Sequence, residues 1–580
     1  MLNYYTNEIN TQIVIALLKE HGIKKVIASP GTTNMPLVAS MQQDSYFEMF
    51  SSVDERSAAY IACGLSAESG ETVVLSCTGA TASRNYLPGL TEAFYRKLPI
   101  LAITSTQTIS KIGQHIAQVI DRSSLPKDVV NYSVYLPLVK DEEDLWDCEI
   151  KVNKAILELS RHGGGPVHIN LATGYSINYD TKELPRYRSM YRITEHNNFP
   201  ELPKGKIAIF VGSHKIMDKR LSNSIDVFCA TNNAVVFCDN TSNYYGKYRT
   251  QYALVAGQRL YDKSESRPDL LIHIGEITGD YATLGIGSKE VWRVNEDGEI
   301  RDTFRKLKYI FEMPEYIFFE YYSKNTNNGG EDSLLHFYNL QLNETRKKIP
   351  ELPFSNIWLA AKMAHLIPAG STIHFGILNS LRSWNFFELP DSVTSSSNVG
   401  GFGIDGSVSS LLGASLANRN KLYFGVVGDL AFFYDMNAIG NRHLGKNIRI
   451  LLINNGKGTE FRQFNHKAAQ FGQDADEYIA AAGHFGNKSL ELVKNYAQSL
   501  GFEYMSASNK KEFIDVYKRF LTPEFTNRPM LFEVFTNSEE ESKALEIITS
   551  LEINTDIKAK EFAKKMLGRK GVELIKRVIK

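Results

Sequence analysis

Short apolar segments recur along the chain, each followed by a stretch of helical periodicity. This alternation limits the fold more than any other feature. Residues 206–211 (KIAIFV), 234–238 (AVVFC), 269–274 (DLLIHI), 448–453 (IRILLI) and 530–535 (MLFEVF) are too short for ordinary helices and are apolar along most of their length. A strand of that kind is buried on both faces, which calls for a parallel sheet covered by helices. The N-terminal stretch follows the same rule, with helical periodicity at 8–21, a short strand within KKVIASPG, a helix at 55–69, a strand at 72–77, a helix at 85–96 and a strand at 99–104. Residues 166–171 (PVHINL) close this unit. A third run comprises a helix-like 356–366, a strand at 372–375, a Gly-rich 400–406, a strand at 422–427 and a helix through 432–443, with 448–453 and 530–535 as its last strands. The aperiodic stretch 176–205, with three prolines, reads as a linker, and the polar, Gly-rich 323–335 as a second boundary. The expected fold class is α/β, with three doubly wound parallel-sheet domains. Their expected spans are 1–180, 190–335 and 350–545, followed by a tail at 546–580. No internal sequence repeat is visible, although the three units share one pattern.

Charge narrows the function. The 580 residues carry 65 Lys/Arg and 65 Asp/Glu, a balance that argues against a nucleic-acid binder. The balance is a cancellation, because residues 556–580 hold nine Lys/Arg against three Asp/Glu. Apolar positions there (Ile557, Phe562, Met566, Leu567, then Val572, Ile575, Ile579) predict two short amphipathic helices. Either the tail packs on the acidic body or a neighbouring subunit, or it attaches to an acidic partner or membrane surface. No apolar run nears the roughly 18 residues needed to span a bilayer, and MLNYYTNEINTQIV has no basic segment leading into an apolar one. The five cysteines, Cys63, Cys77, Cys148, Cys229 and Cys238, form no CxxC pair and read as reduced thiols. A cytoplasmic location is expected.

The chemistry concentrates in the third unit. Strand 422–427 ends at Gly428-Asp429-Leu430, and the next strand ends at Asn454-Asn455-Gly456-Lys457-Gly458. In a βαβ unit both ends open on the carboxyl edge of the sheet, where such sheets bind ligands. Asp429 and the Asn455 amide would supply hard oxygen ligands for Mg²⁺, which leaves positions for phosphate oxygens. A helix after Leu430 would turn its N-terminus toward the same anion. Gly, Asp and Asn are also ordinary turn residues, and each half alone would read so. Their pairing across one βαβ unit favours a metal–diphosphate site.

These residues resemble a family. GD before a helix, then NN some twenty-five residues on, is similar to the thiamine-diphosphate motif of the pyruvate-oxidase and 2-oxo-acid decarboxylase superfamily. GDLAFFYDMNAIG (428–440) resembles its menaquinone-pathway branch, the 2-succinyl-5-enolpyruvyl-6-hydroxy-3-cyclohexene-1-carboxylate synthases, as does 51–93 (SSVDERSAAYIACGL and onward). The resemblance implies a pyrimidine-binding, a central and a diphosphate-binding domain in that order. It implies Mg²⁺ held by Asp429, Asn455 and the Lys457 carbonyl, with Gly428 and Leu430 beside the cofactor. Glu55 corresponds to the glutamate that activates the aminopyrimidine by hydrogen bonding; by itself it also reads as an acid at a helix N-terminus. Within 395–417, GFGIDG (401–406) satisfies GxGxxG, but a polar Ser-rich run stands before it where a dinucleotide site needs a buried strand. In the family reading Ile404 is the bulky residue that bends the cofactor. Asn379-Ser380 matches an active-site pair or is a plain turn, and Phe461 matches an aromatic that walls the pocket or packs in the core. Gln118, in GQHIAQVID, matches an active-site glutamine of acetolactate-synthase-type relatives or lies in a surface loop. His115, His374 and His466 read as structural.

The departures fall on substrate recognition. Where the branch has arginines, this chain has Thr33, Val399 and Trp384, with Arg382 two residues before the last; Ser105-Thr106-Gln107-Thr108 replaces a DRPP turn. Bidentate arginine recognition of carboxylates is not replaced by Thr, Val or Trp. The expectation is a thiamine-diphosphate- and Mg²⁺-dependent enzyme that decarboxylates a 2-oxo acid donor and joins the remainder to a carbonyl acceptor, such as a keto sugar. A simple decarboxylase and a non-catalytic scaffold are the alternatives. The resemblance further implies a homodimer or homotetramer whose cofactor lies between subunits, and no flavin.

Overall fold

The computed structural model describes residues 4–324, 332–484 and 489–552. The expected amphipathic helices of the tail lie outside the described residues. Two compact units are present, Met1–Asn198 with Gly298–Glu312, and Phe199–Asp297 with Met313–Lys580. The three expected parallel α/β sheets are all found.

The first sheet contains β1 (Lys25–Ala28), β2 (Glu48–Ser51), β3 (Val73–Thr78), β4 (Ile100–Thr106), β5 (Tyr132–Leu136) and β6 (Val167–Ala172), in the order β2-β1-β3-β4-β6-β5. All of its ladders are parallel. Every residue of β4 and β6 is buried, as two helix-covered faces require. Ile13, Val14 and Leu17 of helix Ile9–Glu20 pack with Leu101, Ile103, Val167 and Ile169 in one core. Ala58, Ala59 and Ala62 of helix Glu55–Ser69 pack with Leu75, Cys77 and Ala102 in another. That helix begins where Asp54 accepts hydrogen bonds from the Arg56 and Ser57 N–H groups, and ends at Gly70 in the left-handed conformation.

Within the first unit, β7 (Tyr191–Thr194) and β13 (Leu307–Glu312) pair in parallel, Tyr191 opposite Tyr309. The stretch 176–205 is thus more than a linker. Its strand escapes sequence reasoning because it is four residues long and only half-buried, and Arg192 pairs with Glu158 at 2.9 Å. In the second unit, β8 (Ile207–Val211), β9 (Ala234–Phe237), β10 (Arg249–Thr250), β11 (Leu270–Ile274) and β12 (Glu290–Asn295) run in the order β10-β9-β8-β11-β12.

The third sheet contains β14 (Thr372–Phe375), β15 (Thr394–Ser397), β16 (Tyr423–Gly428), β17 (Ile448–Asn454), β18 (Glu503–Ala507) and β19 (Met530–Phe535), in the order β15-β14-β16-β17-β19-β18. Counted in chain order, the first and third sheets share the arrangement 2-1-3-4-6-5. The Ser-rich run before GFGIDG is itself strand β15, which corrects the reading of it as a non-strand. It is an edge strand, so its serines are tolerated: Ser396 bonds the buried His374 at 2.9 Å, and Ser395 donates to the Asn240 carbonyl. Among the described residues, no helix is long and apolar enough to cross a membrane.

Candidate active site

Strands β16 and β17 lie side by side in parallel, Gly428 opposite Ile453, so their carboxyl ends open together. Gly428 is extended, and the helix begins at Asp429 itself (Asp429–Asp435) rather than after Leu430, continuing as a 3-10 turn to Gly440 instead of an α-helix to 443. The physical reason is local. The Asp429 carboxylate accepts the Leu430 N–H at 2.8 Å, which starts the first turn one residue early. Its other oxygen accepts the Gly456 N–H at 2.6 Å. Gly456 has φ +80, a conformation that only glycine adopts without strain, and this turn brings its amide to the carboxylate. Asp429 is 5% exposed, and burial pushes its carboxyl up to about 6. A buried carboxylate with that environment is stabilised in its ionised form by a cation.

Asn455 accepts a hydrogen bond from the Thr459 hydroxyl at 2.6 Å, which fixes the amide of the residue beside Gly456. Lys457 turns its ammonium away to Asp476 at 2.7 Å, leaving its backbone carbonyl as the group that a metal could use. A cavity of about 410 Å³ is lined by Asp429, Leu430, Gly456, Lys457, Phe433 and His484. Carboxylate, carboxamide and carbonyl oxygens form a hard donor set of the kind that Mg²⁺ takes.

The loop after β14 meets the loop after β17. Leu378 has φ +67 and delivers Asn379 as the first residue of helix Asn379–Trp384. With its amide oriented to satisfy both partners, Asn379 donates to the Glu460 carboxylate at 2.8 Å and accepts the Glu460 N–H at 3.0 Å. Arg382, one turn on, donates to the same carboxylate oxygen at 2.7 Å. Ser380 is buried. Phe461 sits edge-on to His466, ring centroids 5.3 Å apart. Ile404 is half-buried in the loop before helix Ser407–Ala417. Glu460 and Thr459 were missed by the sequence reading. The signal was their position directly after the NNG turn, in GTEF.

In the first unit, Glu55 is the first residue of its helix, and the Asn85 amide lies 3.5 Å from its carboxylate. Gln118 is exposed with φ +64, in the same loop as His115 with φ +53. A β-carbon on Gly79 would lie 3.4 Å from the Gln118 carbonyl, which puts this loop at the carboxyl end of β3. His374 is buried and pushed down to about 4, a neutral strand residue. His466 accepts the Ala468 N–H at 3.0 Å.

The three positions that lack the branch's arginines are interior. Thr33 is buried and donates to the Ser105 carbonyl at 2.9 Å. Val399 is buried, and Trp384 is fully buried, donating to Asn356 at 3.1 Å.

The sequence profile described as "Thiamine pyrophosphate enzyme, N-terminal TPP binding domain" matches residues 10–125. The 2-succinyl-5-enolpyruvyl-6-hydroxy-3-cyclohexene-1-carboxylate synthase of Bacteroides fragilis is 30% identical over 559 residues, covering 93% of this chain and 98% of that protein. The synthase of Phocaeicola vulgatus is 30% identical over 569 residues with the same coverage. A solved structure, the Rhodococcus jostii RHA1 thiamine diphosphate-dependent 4-hydroxybenzoylformate decarboxylase, gives a TM-score of 0.39 at 16% identity, over 91% of this chain and 99% of that one. The chain belongs to the thiamine-diphosphate-dependent enzyme superfamily, close to the 2-succinyl-5-enolpyruvyl-6-hydroxy-3-cyclohexene-1-carboxylate synthases.

Proposed function

We propose that this thiamine-diphosphate enzyme uses Mg²⁺, decarboxylates a 2-oxo acid and joins the remaining acyl unit to a carbonyl acceptor. The observation that carries the reading is the buried Asp429 carboxylate at the paired ends of β16 and β17, against the Gly456 turn and beside Asn455. Asp429, Asn455 and the Lys457 carbonyl would hold the metal, with Gly428 and Leu430 flanking the diphosphate. When bound, the cofactor supplies a nucleophilic carbon for the 2-oxo carbonyl, which no side chain of the chain offers. Glu55 would hold and exchange a proton at the aminopyrimidine ring nitrogen. Ile404 would brace the cofactor, and Asn379, Ser380, Phe461 and Gln118 would border the reacting groups. Carbon dioxide leaves, and the acyl unit ends either bonded to an acceptor carbonyl or protonated to an aldehyde. Joining is favoured by the relatives, which are named as synthases. The lack of arginine at Thr33, Val399 and Trp384 supports a substrate that differs from theirs.

The test is direct. Thiamine diphosphate should bind only with Mg²⁺, and Glu55→Gln should keep that binding while losing turnover. A screen of 2-oxo acids, with and without acceptor aldehydes and ketones, should show carbon dioxide release that depends on the acceptor. Release without an acceptor identifies the simple decarboxylase, and absence of cofactor binding removes the enzymatic reading.

A further inference from the structure

Arg122 ends the loop that carries Gln118. It is 3% exposed, and it is the one buried residue of 107–122. Its guanidinium donates to the Thr104 hydroxyl at 2.7 Å and to the Asn170 side-chain oxygen at 2.6 Å. Those two acceptors stand opposite each other on β4 and β6. From helix Thr81–Asn85, Arg84 donates to the Asp121 carbonyl at 2.8 Å and holds the neighbouring residue.

Among the described residues no carboxylate pairs with Arg122, and the titratable groups facing it are Cys77, Arg84 and His168. Burial lowers its pKa to about 10, so it remains a cation at pH 7. The cavity beside it, lined by Thr104, His168, Tyr86 and Leu90, holds about 10 Å³, room for at most one water. No ligand anion fits there, so the guanidinium serves through its donors. Thr104 is in turn hydrogen-bonded at 2.7 Å to His168, which burial and the Arg122 charge keep neutral. The loop lies close on the sheet edge. A β-carbon on Gly79, just past β3, would lie 3.2 Å from the Ser105 carbonyl oxygen, 3.4 Å from that of Gln118 and 3.5 Å from the Arg122 guanidinium. His115 and Gln118 hold left-handed backbone, φ +53 and +64, which persists only where surrounding contacts fix it.

We propose that Arg122 is a positioning residue. By joining β4 and β6 it holds residues 113–121 over the Gly79 turn and sets the place of Gln118 at the carboxyl edge of the first sheet. The inference rests on the role given to Gln118 above. A planar guanidinium presents parallel donors to two strands at once, a geometry that an ammonium does not reproduce.

Digestion of the full chain with a lysine-specific protease, followed by mass spectrometry, reads the loop without any assay of turnover. Half-buried Lys111, at the start of the loop, should be cut slowly in wild type. Arg122→Gln should be cut there about tenfold faster or more, as loss of a charged hydrogen bond allows, and Arg122→Lys should fall between. Cleavage after exposed Lys204, in the other unit, should be equal in all three. Thermal unfolding checks that each variant is folded, and Arg122→Lys, which keeps the charge, carries the test if Arg122→Gln is not. Equal cleavage at Lys111 in wild type and variant overturns the anchoring. Turnover of the 2-oxo acid found by the screen above then tests the action through Gln118. Gln118→Ala and Arg122→Gln should each lower kcat with thiamine diphosphate binding unchanged, and the double variant should be no slower than Gln118→Ala. Losses that multiply overturn the positioning of Gln118. Wild-type kcat in Gln118→Ala removes the role given to Gln118 itself, and the Lys111 result still decides the anchoring.

Discussion

Glu541 shows how one buried group tunes the stability of the second unit. It is fully enclosed, accepts the Asn356 N–H at 2.9 Å and the Thr536 hydroxyl at 2.8 Å, and burial pushes it up to about 7. The folded protein therefore holds this proton to about pH 7, while the unfolded chain releases it near the ordinary glutamate value. The stability it contributes is present below that ordinary value and is lost as pH rises through 7. Glu541→Gln keeps the shape and the acceptor oxygen. It should raise stability at pH 8 by on the order of 2–3 kcal/mol and leave it nearly unchanged at pH 4. Urea unfolding at the two pH values measures this, and an equal effect at both would show that charge is not the cause. The same residue-scale logic explains why Asp429 could be found in the sequence and Glu460 could not. An Asp at the end of an apolar strand, followed by an Asn-Asn-Gly turn after the next strand, is a pattern. Glu460 has meaning only through Asn379 and Arg382, more than seventy residues away, and no local pattern reports that contact.

Elements were legible where burial made them uniform. Residues 55–69, 372–375 and 530–535 form the expected helix and strands with unchanged bounds. Strands β2, β5, β7 and β15 were missed because they are short, half-exposed or polar, and partnership along a sheet edge decides them rather than composition. Helix Glu55–Ser69, which presents Glu55, packs against helix Leu87–Arg96 through a contact that sequence cannot display. A β-carbon on Gly89 would come within 2.4 Å of the Ala59 β-carbon and 2.9 Å of its backbone. Gly89→Ala should push the helices apart, costing about 1–3 kcal/mol and lowering turnover by moving Glu55. A β-carbon on Gly64, on the same helix, would meet nothing within 4 Å among the described residues outside the helix's own backbone. Gly64→Ala should be neutral or gain up to about 1 kcal/mol through helix propensity. Urea midpoints for the pair separate packing from backbone entropy, and similar losses in both would discount the close approach.

At the scale of the whole molecule, the first and third sheets repeat one strand order without a visible sequence repeat. The family resemblance implies a dimer or tetramer with the cofactor between subunits, and we propose that Glu55 of one chain meets Asp429 of another. Mixing makes this testable. Glu55→Gln and Asp429→Asn proteins, each inactive, should regain about a quarter of wild-type turnover when unfolded and refolded together, because half the dimers are mixed and each has one intact site. No recovery would place both residues of a site on one chain. The thiols offer a further check. All five cysteines are buried, and burial pushes Cys63 up to about 11 and Cys77, Cys148 and Cys238 up to about 12. A thiol reagent at pH 7 should modify none in the native protein and all five after unfolding, since the thiolate is the reactive form. The chain is therefore a blank background for site-specific labelling. A cysteine introduced at exposed Ile177 in one unit and another at exposed Tyr478 in the other would be the only sites that react, and a dye pair attached there would report directly on how the separation of the two units responds to cofactor.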